Sequence, residues 1–189
     1  KVTFPFHISP EDDSAVLQLL KAEGIDPKRP FVSLNPASAA VIKQWGTDHY
    51  AGLINTLHAE GIPSVLVTAD RAVAEAVAAK VEVPFANLVG KTSLKQLGAV
   101  LKHSAVHVCG DTGSGHLATA LERPVISLIG PTDPDRACPY GQRENVISHR
   151  EACSASCTWH KCAYAVPHCM QAITEQEVVA KILAIVKSC

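Results

Sequence analysis

The chain is organised by an alternation that few folds accept: short apolar runs separated by segments of helical spacing. "FVSLN" (31–35), "SVLVTA" (64–69), "FANLV" (85–89), "AVHVC" (105–109), "VISLIG" (125–130) and "NVIS" (145–148) read as six strands. Helices are predicted over 47–60 with Thr47 as cap, over about 70–81, from Ser93 with Leu94, Leu97, Val100 and Leu101 on one side, and from Leu117. Strand–helix alternation of this kind predicts a parallel sheet wrapped on both faces. The near-continuous apolar character of the strands fits burial on both sides. A first helix opens at "SPEDDSAVLQLLKAEG", with Ser9 as N-cap, Pro10 in the first position, Asp12 in the third and Gly24 closing it. Val16, Leu17 and Leu20 share one of its faces. A last helix begins at a capping box formed by Thr174 and Glu177. No internal repeat interrupts the pattern. The expectation is one α/β domain over 1–189, a Rossmann-like doubly wound parallel sheet of about six strands. Residues 1–24 would be a linker and first helix, and 150–170 a Cys-rich loop.

Composition removes several function classes. A formal net charge of −1 with no basic block argues against a nucleic-acid or polybasic membrane partner. No apolar run approaches the ~20 residues of a membrane span. "KVTFPFHISPEDD" lacks the basic-then-apolar pattern of a secretory signal. These observations predict a cytoplasmic chain. The sequence begins without Met on a strand-like piece, which leaves room for a longer natural protein.

Of the seven cysteines (109, 138, 153, 157, 162, 169 and 189), four crowd into "CSASCTWHKCAYAVPHC". A reducing compartment favours thiols or a metal site over disulfides. The spacings of three, four and six intervening residues lack the C-x₂-C pairs of strong zinc motifs. Four thiols with His160 or His168 remain one reading. The other is a compact loop of buried or oxidised thiols. No cysteine has an evident base partner, which disfavours a nucleophile.

Six strands most often wind in the order 3-2-1-4-5-6, and ligands then enter outside the carboxyl ends of strands 1 and 4. The loops there are "PASAAVIKQWG" (36–46) and "GDTGSG" (110–115), the second opening a helix at His116 and Leu117. This is chemistry for an anion. Gly110, Gly113 and Gly115 permit unusual backbone angles and close approach. Thr112, Gly113 and Ser114 aim amides from a helix N-terminus. His116 can donate to a phosphate oxygen, and Lys43 supplies a mobile full charge. G-x-G-x-x-G after strand 1 and G-x-x-x-x-G-K-[ST] are both absent, so hydride transfer and P-loop hydrolysis lose weight. A sugar nucleotide or other phosphate ester remains. Taken singly, Asp111 reads equally as a helix cap, His116 as a core histidine, Lys43 as a solvated lysine, and Ser14, Ser38 and Ser104 as surface polar residues. "GPTDPDRACPYG" (130–141) is a stiff loop at the same sheet end, with Asp133 and Arg136 either functional or purely structural.

"GDTGSGHLATAL", "GPTDP" with a following "PYG", and "KQW" resemble, in order, marks of the ADP-heptose:lipopolysaccharide heptosyltransferases, glycosyltransferase family 9. The Cys-rich stretch ending "HCMQAIT" is similar to the tail of the second core heptosyltransferases. Gly46 departs from the family's K-x-W-P segment. The resemblance implies the donor-binding, C-terminal half of a two-domain GT-B enzyme, without the N-terminal acceptor domain. It implies inverting, metal-independent transfer of heptose from ADP-heptose to the lipopolysaccharide inner core, with no cofactor, at the cytoplasmic face of the inner membrane, where peripheral association is allowed. By position, Asp111, Thr112, Gly113 and His116 would contact diphosphate and sugar, Ser38 a phosphate, and Lys43 the leaving diphosphate. Thr92 would lie near adenine and Asp70 near the ribose. The general base has no counterpart here, so the chain alone would bind donor without transferring sugar. A UDP- or GDP-sugar transferase, a nucleotide-sensing domain without turnover, and a non-enzymatic metal or redox module are the alternatives.

Overall fold

In the computed structural model, residues 2–153, 157 and 161–188 are described. The chain runs α1 (Pro10–Ala22), β1 (Val32–Asn35), α2 (Thr47–Ala59), β2 (Ser64–Leu66), α3 (Arg71–Ala78), β3 (Ala86–Asn87), α4 (Leu94–His103), β4 (Val106–Cys109), α5 (Gly113–Ala120), β5 (Val125–Leu128), α6 (Pro134–Ala137), β6 (Val146–Ile147), α7 (His168–Gln171) and α8 (Glu175–Val186). Every strand pairing is parallel, and the order is β3-β2-β1-β4-β5-β6. The winding therefore reverses between β1 and β4, as the pattern predicts.

Strand alternation feeds two apolar layers. Val32 and Leu34 of β1, Val106 and Val108 of β4, and Ile126 and Leu128 of β5 pack with Tyr50, Leu53, Ile54 and Leu57 of α2 and with Val178 and Ile182 of α8. On the other face Val65, Val67, Ala86 and Leu88 meet Val16 and Leu20 of α1 and Ala99 and Val100 of α4. Leu17 is only half-buried, so the face of α1 is narrower than its sequence suggests.

Local chemistry sets the helix ends. Ser9, Asp70, Ser93 and Thr174 each accept a backbone N–H at an N-terminus, and the last two complete capping boxes. Thr47 is not a cap: Gly46 holds that position, and Thr47 is the first helical residue. Gly46 has φ 109°, which the ring of a proline forbids. The K-x-W-P turn is thus built differently here. The β2, β3 and β6 strands are shorter than their apolar runs, although ladder-like bonds continue past them, as from Val67 N to the Leu34 carbonyl (2.8 Å) and Leu88 N to the Leu66 carbonyl (3.0 Å).

Leu34 lies fully buried on the central strand. Leu34→Ala is expected to lower stability by about 2–5 kcal/mol, measured by urea unfolding.

Candidate functional site

Reversal of strand order leaves the loops after β1 and β4 without a crossover between them, and their side chains meet. Lys43 ends a 3₁₀ turn (Val41–Lys43) and is 6% exposed. Its Nζ donates to Asp111 Oδ2 at 2.7 Å. The Thr132 hydroxyl, from the loop after β5, donates to the same oxygen at 3.1 Å. Ser38 Oγ donates to the Asp111 carbonyl (3.2 Å), and Gln44 Nε2 to the Ser38 carbonyl (3.3 Å). Lys43 is therefore a buried, aimed cation and not the mobile one its sequence position suggests. Asp111 does not cap α5; Thr112 is the N-cap, with no side-chain capping bond. Asp111 instead ties together the loops after β1, β4 and β5.

Two hollows flank the 110–112 loop. One, of about 280 Å³, is lined by Lys43, Asp111, Thr132, Asp133, Arg136 and Cys157, among others. The other, of about 220 Å³, is lined by Ser38, Thr68, Asp70 and Thr112 with Asn35 and the adjoining alanines. Asp70 spends one oxygen on Val73 N, capping α3 at 3.1 Å, and lines the second hollow. Gly113 is exposed at the first position of α5. His116 is exposed in the first turn of α5 and borders neither hollow, so it is not the core histidine of the alternative reading. Thr92 follows β3 at the sheet edge and also lies outside both. Asp133 caps α6 through Asp135 N (3.0 Å), and Arg136 offers a second cation to the first hollow.

None of Gly110, Gly113 and Gly115 has positive φ, and Gly110 and Gly115 work through space. A Cβ on Gly115 would come within 2.9 Å of Cys109 Sγ, and one on Gly110 within 3.2 Å of the Lys43 carbonyl. They let α5 and the Lys43 turn close onto β4.

Sequence reasoning missed the polar layer beneath. His107 on β4 is fully buried, with Nε2 2.9 Å from Ser114 Oγ and Nδ1 2.9 Å from Ser33 Oγ and 3.2 Å from the Ser33 carbonyl. A carbonyl only accepts, which assigns the proton to Nδ1 and makes Nε2 the acceptor of the Ser114 hydroxyl. Ser33 then donates to Ser104 (3.2 Å) and Ser104 to the Leu101 carbonyl (2.8 Å). Ser104 is buried, not a surface residue. Asn35 Nδ2 donates to Ser114 (2.9 Å), while Tyr50 donates to the Asn35 carbonyl (3.0 Å). Burial lowers the His107 pKa to about 4 and pushes Cys109 up to about 12, so both stay neutral at pH 7. The sequence signal was a histidine inside an otherwise apolar strand; the sheet then sets it directly opposite Ser33.

The six described cysteines are free thiols. Cys157 and Cys162 approach to 3.8 Å. Among the described residues no three ligating groups are placed to hold a metal ion. His168 stacks on Tyr164, and His160 lies outside the described residues. Among the described residues no helix is long and apolar enough to cross a membrane.

Residues 5–165 match the model of "Glycosyltransferase family 9 (heptosyltransferase)". The chain belongs to this family. Lipopolysaccharide heptosyltransferase 3 of Escherichia coli K12 is 33% identical over 122 residues, 62% of this chain and 35% of that protein. Lipopolysaccharide heptosyltransferase 2 of Salmonella typhimurium is 32% identical over 127 residues, 64% of this chain and 36% of that one. Among solved structures, E. coli ADP-heptose lps heptosyltransferase II aligns with a TM-score of 0.76 at 23% identity, and a family 9 glycosyltransferase from Veillonella parvula with 0.80 at 17%. Each alignment covers 97% of this chain, but only 53% and 54% of the respective structures. The family 9 chain thus spans about a third of those curated relatives and about half of those structures, and the structural likeness shows the shared fold.

Stability should depend on pH through His107. Between its ordinary pKa of 6.5 and about 4, the unfolded chain takes up a proton that the folded chain refuses. Stability therefore falls as pH drops through that window, by about 2 kcal/mol from pH 7 to pH 5. His149, held above its usual pKa chiefly by Glu151, contributes with the opposite sign. Urea unfolding of native chain and His107→Gln at both pH values cancels His149 and the carboxylates, and the native chain should lose about 2 kcal/mol more than the variant between pH 7 and pH 5.

Proposed function

We propose that this chain is the donor-binding half of a GT-B heptosyltransferase. It holds ADP-heptose while the sugar passes, with inversion and without a catalytic metal, to the inner core of lipopolysaccharide at the cytoplasmic face of the inner membrane. One observation carries the reading: a buried lysine from the β1 loop and the N-terminus of α5 converge at the strand-order reversal, between two hollows. Support for ADP-heptose comes from the family match and from the solved relative described as an ADP-heptose lps heptosyltransferase.

The chemistry asks for little else on this side of the bond. Departing ADP gains negative charge as its bond to the anomeric carbon breaks. The leading amides of α5 and Arg136 are positive groups already in place, and Lys43 Nζ joins them by exchanging Asp111 for the diphosphate, so that charge is met with little reorganisation. Asp111 cannot neutralise phosphate. It holds Lys43 extended against Thr132, and a diphosphate entering the first hollow competes with it for the ammonium. Ser38 and Thr112 reach a phosphate from the second hollow, where Asp70 serves the ribose. Gly113 gives the diphosphate room at the helix end. His116 and Thr92 take part only as rim contacts, with the sugar and near the adenine respectively. The base that deprotonates the acceptor belongs to the acceptor-side domain, so this chain binds donor and does not transfer sugar by itself.

Calorimetric titration of the 189-residue chain with ADP in EDTA should show saturable binding, with UDP and GDP weaker. Lys43→Ala should weaken ADP at least about tenfold, the scale of one charge-assisted hydrogen bond. A folded native chain that does not saturate with ADP would overturn the reading.

A further inference from the structure

The eight-residue α5 carries no capping side chain at its N-terminus, and its N-cap Thr112 borders the second of the hollows where the donor is proposed to sit. Its second residue, Ser114, is instead gripped from below. Asn35 at the end of β1 donates to its hydroxyl at 2.9 Å, and that hydroxyl reaches His107 Nε2, on β4, at 2.9 Å. Both strands beside the reversal therefore hold the same serine. The chain of donors has one direction, from Asn35 through Ser114, His107, Ser33 and Ser104 to the Leu101 carbonyl, and each hydroxyl along it has both a donor and an acceptor. Ser114 is 8% exposed, and His107, Ser33 and Ser104 are fully buried, so water does not compete for these bonds.

We propose that His107 is a positioning residue for donor binding: its Nε2 acts through Ser114 to set the register of the α5 amides and of the Asp111–Thr112 loop against Lys43. The inference rests on the donor reading above but assigns a role to a residue that touches no ligand. An ordinary apolar residue at this position would fill the space while leaving Ser114 one acceptor short. The α5 N-terminus would then lose its imidazole acceptor and keep only Asn35 and the softer contact with the Cys109 thiol, and the amides would lose the fixed aim that makes a helix end an effective anion site. Lys43 would feel the change through Asp111, which lies three residues before Ser114.

Two variants separate this from a merely structural role. Gln places its amide oxygen near the Nε2 position and can still accept from Ser114. Asn reaches only the Nδ1 position. Calorimetry with ADP, at a temperature where circular dichroism shows each variant fully folded, should give near-native affinity for His107→Gln and about tenfold weaker binding for His107→Asn, the worth of one hydrogen bond. Ser114→Ala should weaken ADP by a similar factor. The double variant His107→Asn/Ser114→Ala should be no weaker than either single one, because both remove the same link. Leu34→Val, a destabilised control on β1 outside the network, should leave ADP affinity unchanged. Equal affinity for native, His107→Asn and Ser114→Ala would overturn the proposal while leaving the donor site intact. Multiplied losses in the double variant, or weakening by Leu34→Val as large as by His107→Asn, would also overturn it. A native chain that ignores ADP would instead overturn the donor reading itself.

Discussion

Parallel pairing of β1 with β4 is the constraint from which the molecule follows. Residues 32–35 lie in register with 106–109, although the two strands are separated in the chain by two other strands and three helices. Two crossovers carry the chain outward to β3 on one side, and the return to β4 sends it outward again on the other. Crossovers of this kind share one hand, so helices coat both faces and the central pair is covered on both. No connection crosses the carboxyl ends of these two strands. A crevice there is a geometric consequence of the winding, and the loops that border it are left to chemistry.

Electrostatics then shapes the crevice. A lysine as buried as Lys43 needs a partner, because an unpaired buried charge is costly. Asp111 supplies the charge and Thr132 shares the carboxylate, so three loops are drawn to one oxygen. The pair lies at the rim of the hollow and not deep in the core. Beneath it, the neutral His107 layer transmits the position of the strands to the first turn of α5. The ion pair ties three loops together at the rim, while the hydroxyl and imidazole layer links the two central strands below them.

Most of the fold was legible in the chain. Apolar runs of four to six residues identified the strands, and Ser9, Asp70, Ser93 and Thr174 marked helix starts with side chains that bond locally. Errors occurred where an outcome depended on neighbours distant in sequence. Thr47 looked like a cap because Gly46 gives no sign of its positive φ. Ser104 looked like a surface serine because its partners, Ser33 and the Leu101 carbonyl, gather only when β1 and β4 pair. Lys43 was expected to be mobile for the same reason: its fixed partner Asp111 is 68 residues away. Of the loop glycines, Gly110 and Gly115 serve close packing against the Lys43 turn and Cys109, not the unusual dihedrals expected of them.

Local periodicity and capping chemistry act within a few residues, so the sequence by itself determined the alternation of elements, the doubly wound class and the two loops that meet at the reversal. Which side chains in those loops touch was decided only by tertiary structure. Hydrogen bonds and ion pairs form over about three ångströms, and only the folded sheet brings Lys43 to Asp111, or His107 to Ser33 and Ser114, within that distance.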